Sequence, residues 1–248
     1  MNISHIIEAY HGSLRRLLLL DYDGVMTPIV ARPELAKPST DVRNLLYMLG
    51  SDTHTTCVIV SGRDHETLER WLGDLPIALV AEHGLWQKEE GIWHLTSNVA
   101  VDWKSQIRAT MERSVRTLEG SFIEEKYASV GFHYRGADES LADNVVQRLV
   151  YSLGVDVEAY NLRILHGKKV VEVIAAGVEK GEAIRPWLKK ENWDFILGAG
   201  DDVTDESLFA TLPAEAYSIK VGAGTTCATT RAPTQRAFIR LLSQFCEK

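Results

Sequence analysis

LLLLDYDGVMTP, residues 17–28, runs four consecutive leucines into two aspartates and a glycine. A short apolar run without polar alternation is the pattern of a strand buried on both faces, as in a parallel sheet. Gly24 supplies the backbone freedom of a tight turn directly after it. In an open α/β sheet, ligands collect beyond the carboxyl ends of the strands, where Asp21 and Asp23 fall. Two carboxylates so close resist joint ionisation. A hard cation such as Mg²⁺ relieves that repulsion and draws a phosphate group in. Asp and Gly are also common turn residues, so this stretch taken alone fits a plain polar turn equally well.

Outward from it, the pattern repeats. After a loop rich in proline (Pro28, Pro33, Pro38), Ser39-Thr40-Asp41 is a helix start, with Leu45, Leu46 and Leu49 as its apolar stripe. Thr56–Val60 predicts a second buried strand ending on Ser61-Gly62-Arg63-Asp64, then a helix over Glu66–Trp71. Ile77–Ala81 predicts a third strand, ending on Glu82-His83-Gly84. Alternating strands and helices of this kind predict a parallel, doubly wound (Rossmann-like) sheet. The C-terminal part returns to the pattern. A helix over Val178–Leu188 begins beside Glu179-Lys180-Gly181, and the strand Phe195–Leu197 runs into Gly198-Ala199-Gly200-Asp201-Asp202-Val203-Thr204-Asp205. A short strand over Ser218–Val221 and a helix over Thr234–Cys246 close the chain.

The middle differs. Helices are predicted over Val101–Leu118 and Asp138–Leu153, each followed by strands: Ser121–Tyr127 and Ser129–Arg135, then Val155–Tyr160, Arg163–Leu165 and Lys168–Ile174. This order predicts an α+β module with an antiparallel sheet, inserted at 101–176 between core segments 1–100 and 177–248. Strand alternation puts Val130, Phe132, Tyr134, Val171 and Val173 on apolar faces. It leaves a face carrying Lys168, Glu172 and Arg135, together with Glu124. A solvated sheet face accounts for any one of these residues. Four hydrogen-bonding charges of mixed sign on one face suit a polyhydroxylated ligand.

A chain of 248 residues is long enough to bury a real core. Its formal net charge of −7 argues against nucleic acid or an anionic membrane as partner. A phosphate must then be held by particular lysines and arginines. Cys57, Cys227 and Cys246 show no metal or redox spacing, which fits a reducing cytoplasm. The Leu17–Leu20 run is too short for a signal peptide, and no stretch approaches the ~20 apolar residues of a membrane span. The expectation is a soluble, cytoplasmic protein. Gly-Ala-Gly at 198–200 and 222–224 lacks the third glycine of a dinucleotide fingerprint, which argues against an NAD site.

The parallel strands thus present Asp21, Asp23, Ser61, Gly62, Lys180, Asp201, Asp202 and Asp205 at their ends. Several carboxylates around one point make an oxygen-rich Mg²⁺ site, and a hydroxyl, backbone amides and a lysine hold phosphate oxygens. Asp21 is placed to attack phosphorus and form an aspartyl-phosphate. Asp23 is placed to protonate the leaving alcohol and then activate water. Lys180 and the cation would neutralise phosphoryl charge.

This set resembles the haloacid dehalogenase-like phosphatases, whose motifs appear here as DYDGV, the SG of VSGR, the K of EKG, and GDDVTD. With VSGRD (60–64), AEHG (81–84), GSFIEEKYASVGFHYR (120–135), GKKVVEV (167–173), EKG (179–181) and GDDVTDE (200–206), the resemblance narrows. The chain is similar to the trehalose-6-phosphate phosphatase family, including the phosphatase half of bifunctional trehalose synthases. The resemblance implies a haloacid dehalogenase core with an inserted cap, and trehalose 6-phosphate as substrate. It implies Asp21 as nucleophile, Asp23 as acid/base, and Ser61, Gly62 and Lys180 on the phosphate. Mg²⁺ would be held by Asp21, the Asp23 carbonyl and Asp201, supported by Asp202 and Asp205. Glu124, Arg135, Lys168 and Glu172 would grip the sugar, with a hinged cap closing near residues 100 and 176. It also implies a functional association with a trehalose-phosphate synthase. Val25-Met26 and Ala199 depart from the family's usual residues at positions that do no chemistry.

Two alternatives stand beside this one. The same chemistry fits another phosphorylated disaccharide or glycoside. A receiver-like signalling module also gathers Asp, Ser/Thr, Lys and Mg²⁺ at strand ends, but needs neither a paired acid nor a lid.

Overall fold

The computed structural model describes residues 3–247. The chain divides into two compact units, Met1–Thr96 with Glu179–Lys248, and Ser97–Val178. The first opens with α1 (Ile3–Gly12), β1 (Arg16–Leu20), α2 (Thr40–Ser51), β2 (Thr55–Val60), α3 (His65–Leu72), β3 (Ala78–Ala81), β4 (Trp86–Glu89) and β5 (Ile92–Leu95). The second contains α4 (Lys104–Val115), β6 (Phe122–Glu125), β7 (Ser129–His133), α5 (Glu139–Ala159), β8 (Leu162–Gly167) and β9 (Val170–Ala175). The first unit then resumes with α6 (Lys180–Lys190), β10 (Phe195–Gly200), α7 (Glu206–Thr211), β11 (Tyr217–Val221), β12 (Thr230–Ala232) and α8 (Gln235–Gln244).

Among the described residues, the first unit holds one eight-stranded sheet in the order β12-β11-β10-β1-β2-β3-β4-β5. Pairing is parallel from β12 to β3 and antiparallel for β4 and β5. The leucine run is the reason β1 lies central. Leu18 and Leu20 face one core with Ile6 and Tyr10 of α1, Leu45 and Leu49 of α2, and Phe238 and Leu242 of α8. Leu17 and Leu19 face the opposite core, with Ile184 and Trp187 of α6 and Leu208 and Phe209 of α7. Each buried leucine contributes about 1.5–3 kcal/mol relative to exposure. A strand apolar on both faces is stable only between two layers of helices, and this one has them.

The sequence did not announce α1, β12 or the β4–β5 hairpin. WQKE and IWHL are short and partly polar, and the strands take their order from the turn between them. Glu90 (φ 51°) and Gly91 (φ 82°) are both left-handed, as a tight hairpin requires.

In the second unit, β6-β7-β9-β8 form an antiparallel sheet. Val130, Phe132, Val171 and Val173 pack with Ile107 and Met111 of α4 and Leu149 and Leu153 of α5. The strand expected over Val155–Tyr160 is instead the end of α5, a 21-residue helix. Its stripe, Val145, Leu149, Leu153 and half-buried Val157, recurs every fourth residue and carries the helix through Gly154. Val155, the residue that most favoured a strand, is exposed.

Candidate active site

The site is built by register. Leu20 lies beside Ile59 of β2 and Ala199 of β10, so three central strands end together. Asp21, Ser61 and Asp201 therefore leave the sheet at one edge. β1 is flanked by strands reached through opposite faces, the switch point at which open sheets bind ligands.

Lys180, the first residue of α6, reaches that edge. Its Nζ donates to Asp21 Oδ1 at 2.7 Å and to Asp205 Oδ1 at 2.7 Å. Asp21, Asp201 and Asp205 are buried, and an oxygen of each lies within 4.8 Å of the others. Burial pushes the Asp21 carboxyl well up, with repulsion from Asp205 and Asp201 in the same direction and Lys180 opposing. Among the described residues of the cluster, three carboxylates face one ammonium. That excess of buried negative charge, carried on oxygen donors alone, fits a hard divalent cation.

Asp205 has both oxygens engaged. Oδ1 accepts from Lys180, and Oδ2 accepts from the backbone N–H of Asp201 (2.8 Å) and Asp202 (2.9 Å). It shapes the loop that aims Asp201. Asp202 accepts from the Val203 N–H at 2.8 Å, and the Lys220 ammonium donates to the Asp202 carbonyl at 3.1 Å. Gly24 makes room opposite: a Cβ there would stand 1.9 Å from Asp201 Oδ2, and its φ is +79°.

Asp23 lies in the same loop, but its carboxylate turns to Arg63. Arg63 Nε donates to Oδ2 and Nη2 to Oδ1, each at 2.7 Å. Ser61 is buried, and its Oγ accepts from the Arg63 N–H at 3.2 Å. Gly62 lies against the His83 ring, where a Cβ would approach Cε1 to 2.6 Å. His83 and Glu82 both hold left-handed backbone (φ 57° and 47°), and their N–H groups donate to the carbonyls of Ser61 and Arg63. Backbone strain of about 1–3 kcal/mol at such residues persists only where surroundings enforce it. The two backbone hydrogen bonds tie the 82–83 turn to the Ser61–Arg63 loop.

In the second unit, Glu124, Gly131, Glu172 and Leu165 form one row across β6, β7, β9 and β8. Glu172 Oε1 accepts from Lys126 Nζ (2.8 Å) and Ser129 Oγ (2.6 Å). His133 Nε2 lies 3.0 Å from Glu124 Oε2. Burial alone would raise Glu124, but Lys126 and His133 outweigh it and hold the carboxyl at about 2. Arg135 and Lys168 lie beyond the ends of β7 and β9, not on the strands the alternation assigned them. The chain turns there through Lys169 (φ 64°), and the Arg135 guanidinium donates to the Lys168 carbonyl. Arg63, Lys126 and Ser129 went without a role in the sequence. Arg63 was legible only as the residue following Ser61-Gly62, and Lys126 as a cation two positions from Glu124.

A carboxylate cluster at the switch point of a doubly wound sheet, with an α+β unit inserted in the chain, defines the haloacid dehalogenase-like fold. A haloacid dehalogenase-like hydrolase from Bacteroides thetaiotaomicron shares it (TM-score 0.63, 12% identity, 92% of this chain and 98% of that one). The model of the trehalose-phosphatase family matches residues 19–242, and the chain belongs to that family. It is 42% identical, over 98% of its length, to 34% of a bifunctional trehalose-6-phosphate synthase/phosphatase from Thermoproteus tenax. The chain is structurally similar to the C-terminal domain of C. albicans trehalose-6-phosphate phosphatase, with TM-score 0.94 at 30% identity over 99% of this chain and 97% of that one. The chain spans 26–34% of the length of the curated relatives it matches first. Among the described residues, no helix is long and apolar enough to cross a membrane.

Proposed function

We propose that the chain hydrolyses trehalose 6-phosphate to trehalose and inorganic phosphate. The observation that carries this reading is the buried cluster of Asp21, Lys180, Asp201 and Asp205 at one sheet edge, in a member of the trehalose-phosphatase family.

Asp21 attacks phosphorus, forming an aspartyl-phosphate as the ester P–O bond breaks, while the Asp23 carboxyl delivers its proton to the leaving sugar oxygen. Asp23, now a carboxylate, takes a proton from water whose oxygen attacks the same phosphorus. The bond to Asp21 breaks, phosphate leaves, and Asp23 is again protonated. Ser61, the Gly62 backbone and Lys180 hold the phosphoryl oxygens. Mg²⁺, held by Asp21, the Asp23 carbonyl and Asp201 with Asp202 and Asp205 in support, would neutralise charge on those oxygens. Glu124, Arg135, Lys168 and Glu172 recognise the sugar hydroxyls, which makes the segment 97–178 the specificity domain. The three free cysteines fit a cytoplasmic setting. The T. tenax relative, named as both synthase and phosphatase, supports association with a trehalose-phosphate synthase.

Phosphate release with Mg²⁺ across a panel of sugar phosphates tests the proposal. Trehalose 6-phosphate is expected to turn over fastest, and Asp21→Asn to abolish turnover. Faster release from another glycoside phosphate would move the substrate, and phosphorylation without turnover would favour a receiver.

A further inference from the structure

We infer that Arg63 is a positioning residue for Asp23: it fixes where that carboxylate points and acts on the reaction through it alone. This rests on the phosphatase reading above and adds a residue to it. The Arg63–Asp23 pair is bidentate, with Nε–Oδ2 and Nη2–Oδ1 both 2.7 Å. A fork-to-fork pair sets orientation as well as distance, which an ammonium does not.

The guanidinium is itself held. Nη1 donates to the Pro33 carbonyl at 2.9 Å, and the group lies 4.8 Å from the centre of the Trp71 ring and 5.6 Å from that of Tyr22. Tyr22 is anchored in turn, its hydroxyl donating to the Ala36 carbonyl at 2.7 Å. The Arg63 side chain is 11% exposed and that of Asp23 32%, so the carboxylate is the more open member. Arg63 N–H also donates to Ser61 Oγ. One residue therefore ties the acid/base to the loop assigned to the phosphate. With both Asp23 oxygens accepting from Arg63, the carboxylate is held in one defined orientation rather than among free rotamers. When the group carries the acid's proton, one of the two bonds is given up and the other keeps that orientation.

The test compares trehalose 6-phosphate, whose sugar alkoxide needs a proton to leave, with p-nitrophenyl phosphate, whose phenolate does not. General acid catalysis is worth about 10²–10⁴-fold, so loss of its alignment in Arg63→Gln is expected to lower kcat on the sugar phosphate on the order of tenfold or more. With protein in excess over ester, single-turnover release of p-nitrophenolate precedes water attack on the aspartyl-phosphate and so needs neither acid nor base from Asp23. That release should barely change, as should inhibition by inorganic phosphate, which also reports intact folding. Arg63→Lys should fall between. Adding Arg63→Gln to Asp23→Asn should cost nothing further on the sugar phosphate, a comparison that decides the matter even where aryl-ester turnover is slow. A matching loss in single-turnover p-nitrophenolate release, weakened phosphate inhibition or additive losses in the double variant would overturn the inference. Undiminished sugar-phosphate turnover in Asp23→Asn would strike the phosphatase mechanism itself.

Discussion

Lys180 Nζ lies 2.7 Å from Asp21 Oδ1, although 159 residues separate the two in sequence, and it bridges to Asp205 Oδ1 at the same distance. Burial opposes its charge, but Asp205 and Asp21 prevail and hold the ammonium well above the ordinary lysine range. Lys180→Met would leave buried carboxylates uncompensated, at a cost on the order of 3–5 kcal/mol. Thermal denaturation without added metal should show the loss. Phosphate release should fall to background even below the unfolding temperature.

Gly24→Ala is predicted to disable the site with less harm to the fold. The new methyl would stand 1.9 Å from Asp201 Oδ2 at a φ of +79°. Left-handed backbone costs a non-glycine residue about 1–3 kcal/mol, and Asp201 must turn aside. Titration with Mg²⁺, followed by the rise in melting temperature, should show binding weakened at least tenfold. Unchanged affinity would mean that Asp201 is not a ligand.

Acid stability should report Glu124. Its carboxyl is depressed to about 2 in the folded protein, so folding is favoured by the ionised form. That contribution is complete above the ordinary glutamate value and fades as pH falls towards 2. In Glu124→Gln, the melting temperature should start lower at neutral pH and decline less steeply below pH 4.

Glu172→Ala is expected to raise KM for trehalose 6-phosphate about tenfold or more with a smaller change in kcat, as loss of uniform binding does. Ser129→Ala, which removes one donor to Glu172 Oε1, should move KM in the same direction by less. A fall in kcat at constant KM would argue against a sugar contact.

What the sequence disclosed follows from what each signal depends on. The leucines of β1 and the polar clusters after β1, β2 and β10 are local, and they place Asp21, Ser61 and Asp201 at one edge. The Arg63–Asp23 and Lys126–Glu172 pairs depend on tertiary contacts 40 and 46 residues apart, which no local pattern records. The β4–β5 hairpin was hidden because its strands are short and half-polar. The end of α5 reads locally as a strand because Val155 and Val157 favour extended backbone, while the four-residue stripe through Val157 decides for a helix.

The central claim is that Asp21 takes the phosphoryl group. Acid-quenching the protein milliseconds after mixing with trehalose 6-phosphate and Mg²⁺, followed by peptide mapping, tests it most directly. A phosphoryl group on Asp21, absent in Asp21→Asn, is the expected result. A phosphoryl group on Asp23, Asp201 or Asp205, or multiple turnovers with no phosphorylated peptide at any quench time, would contradict it.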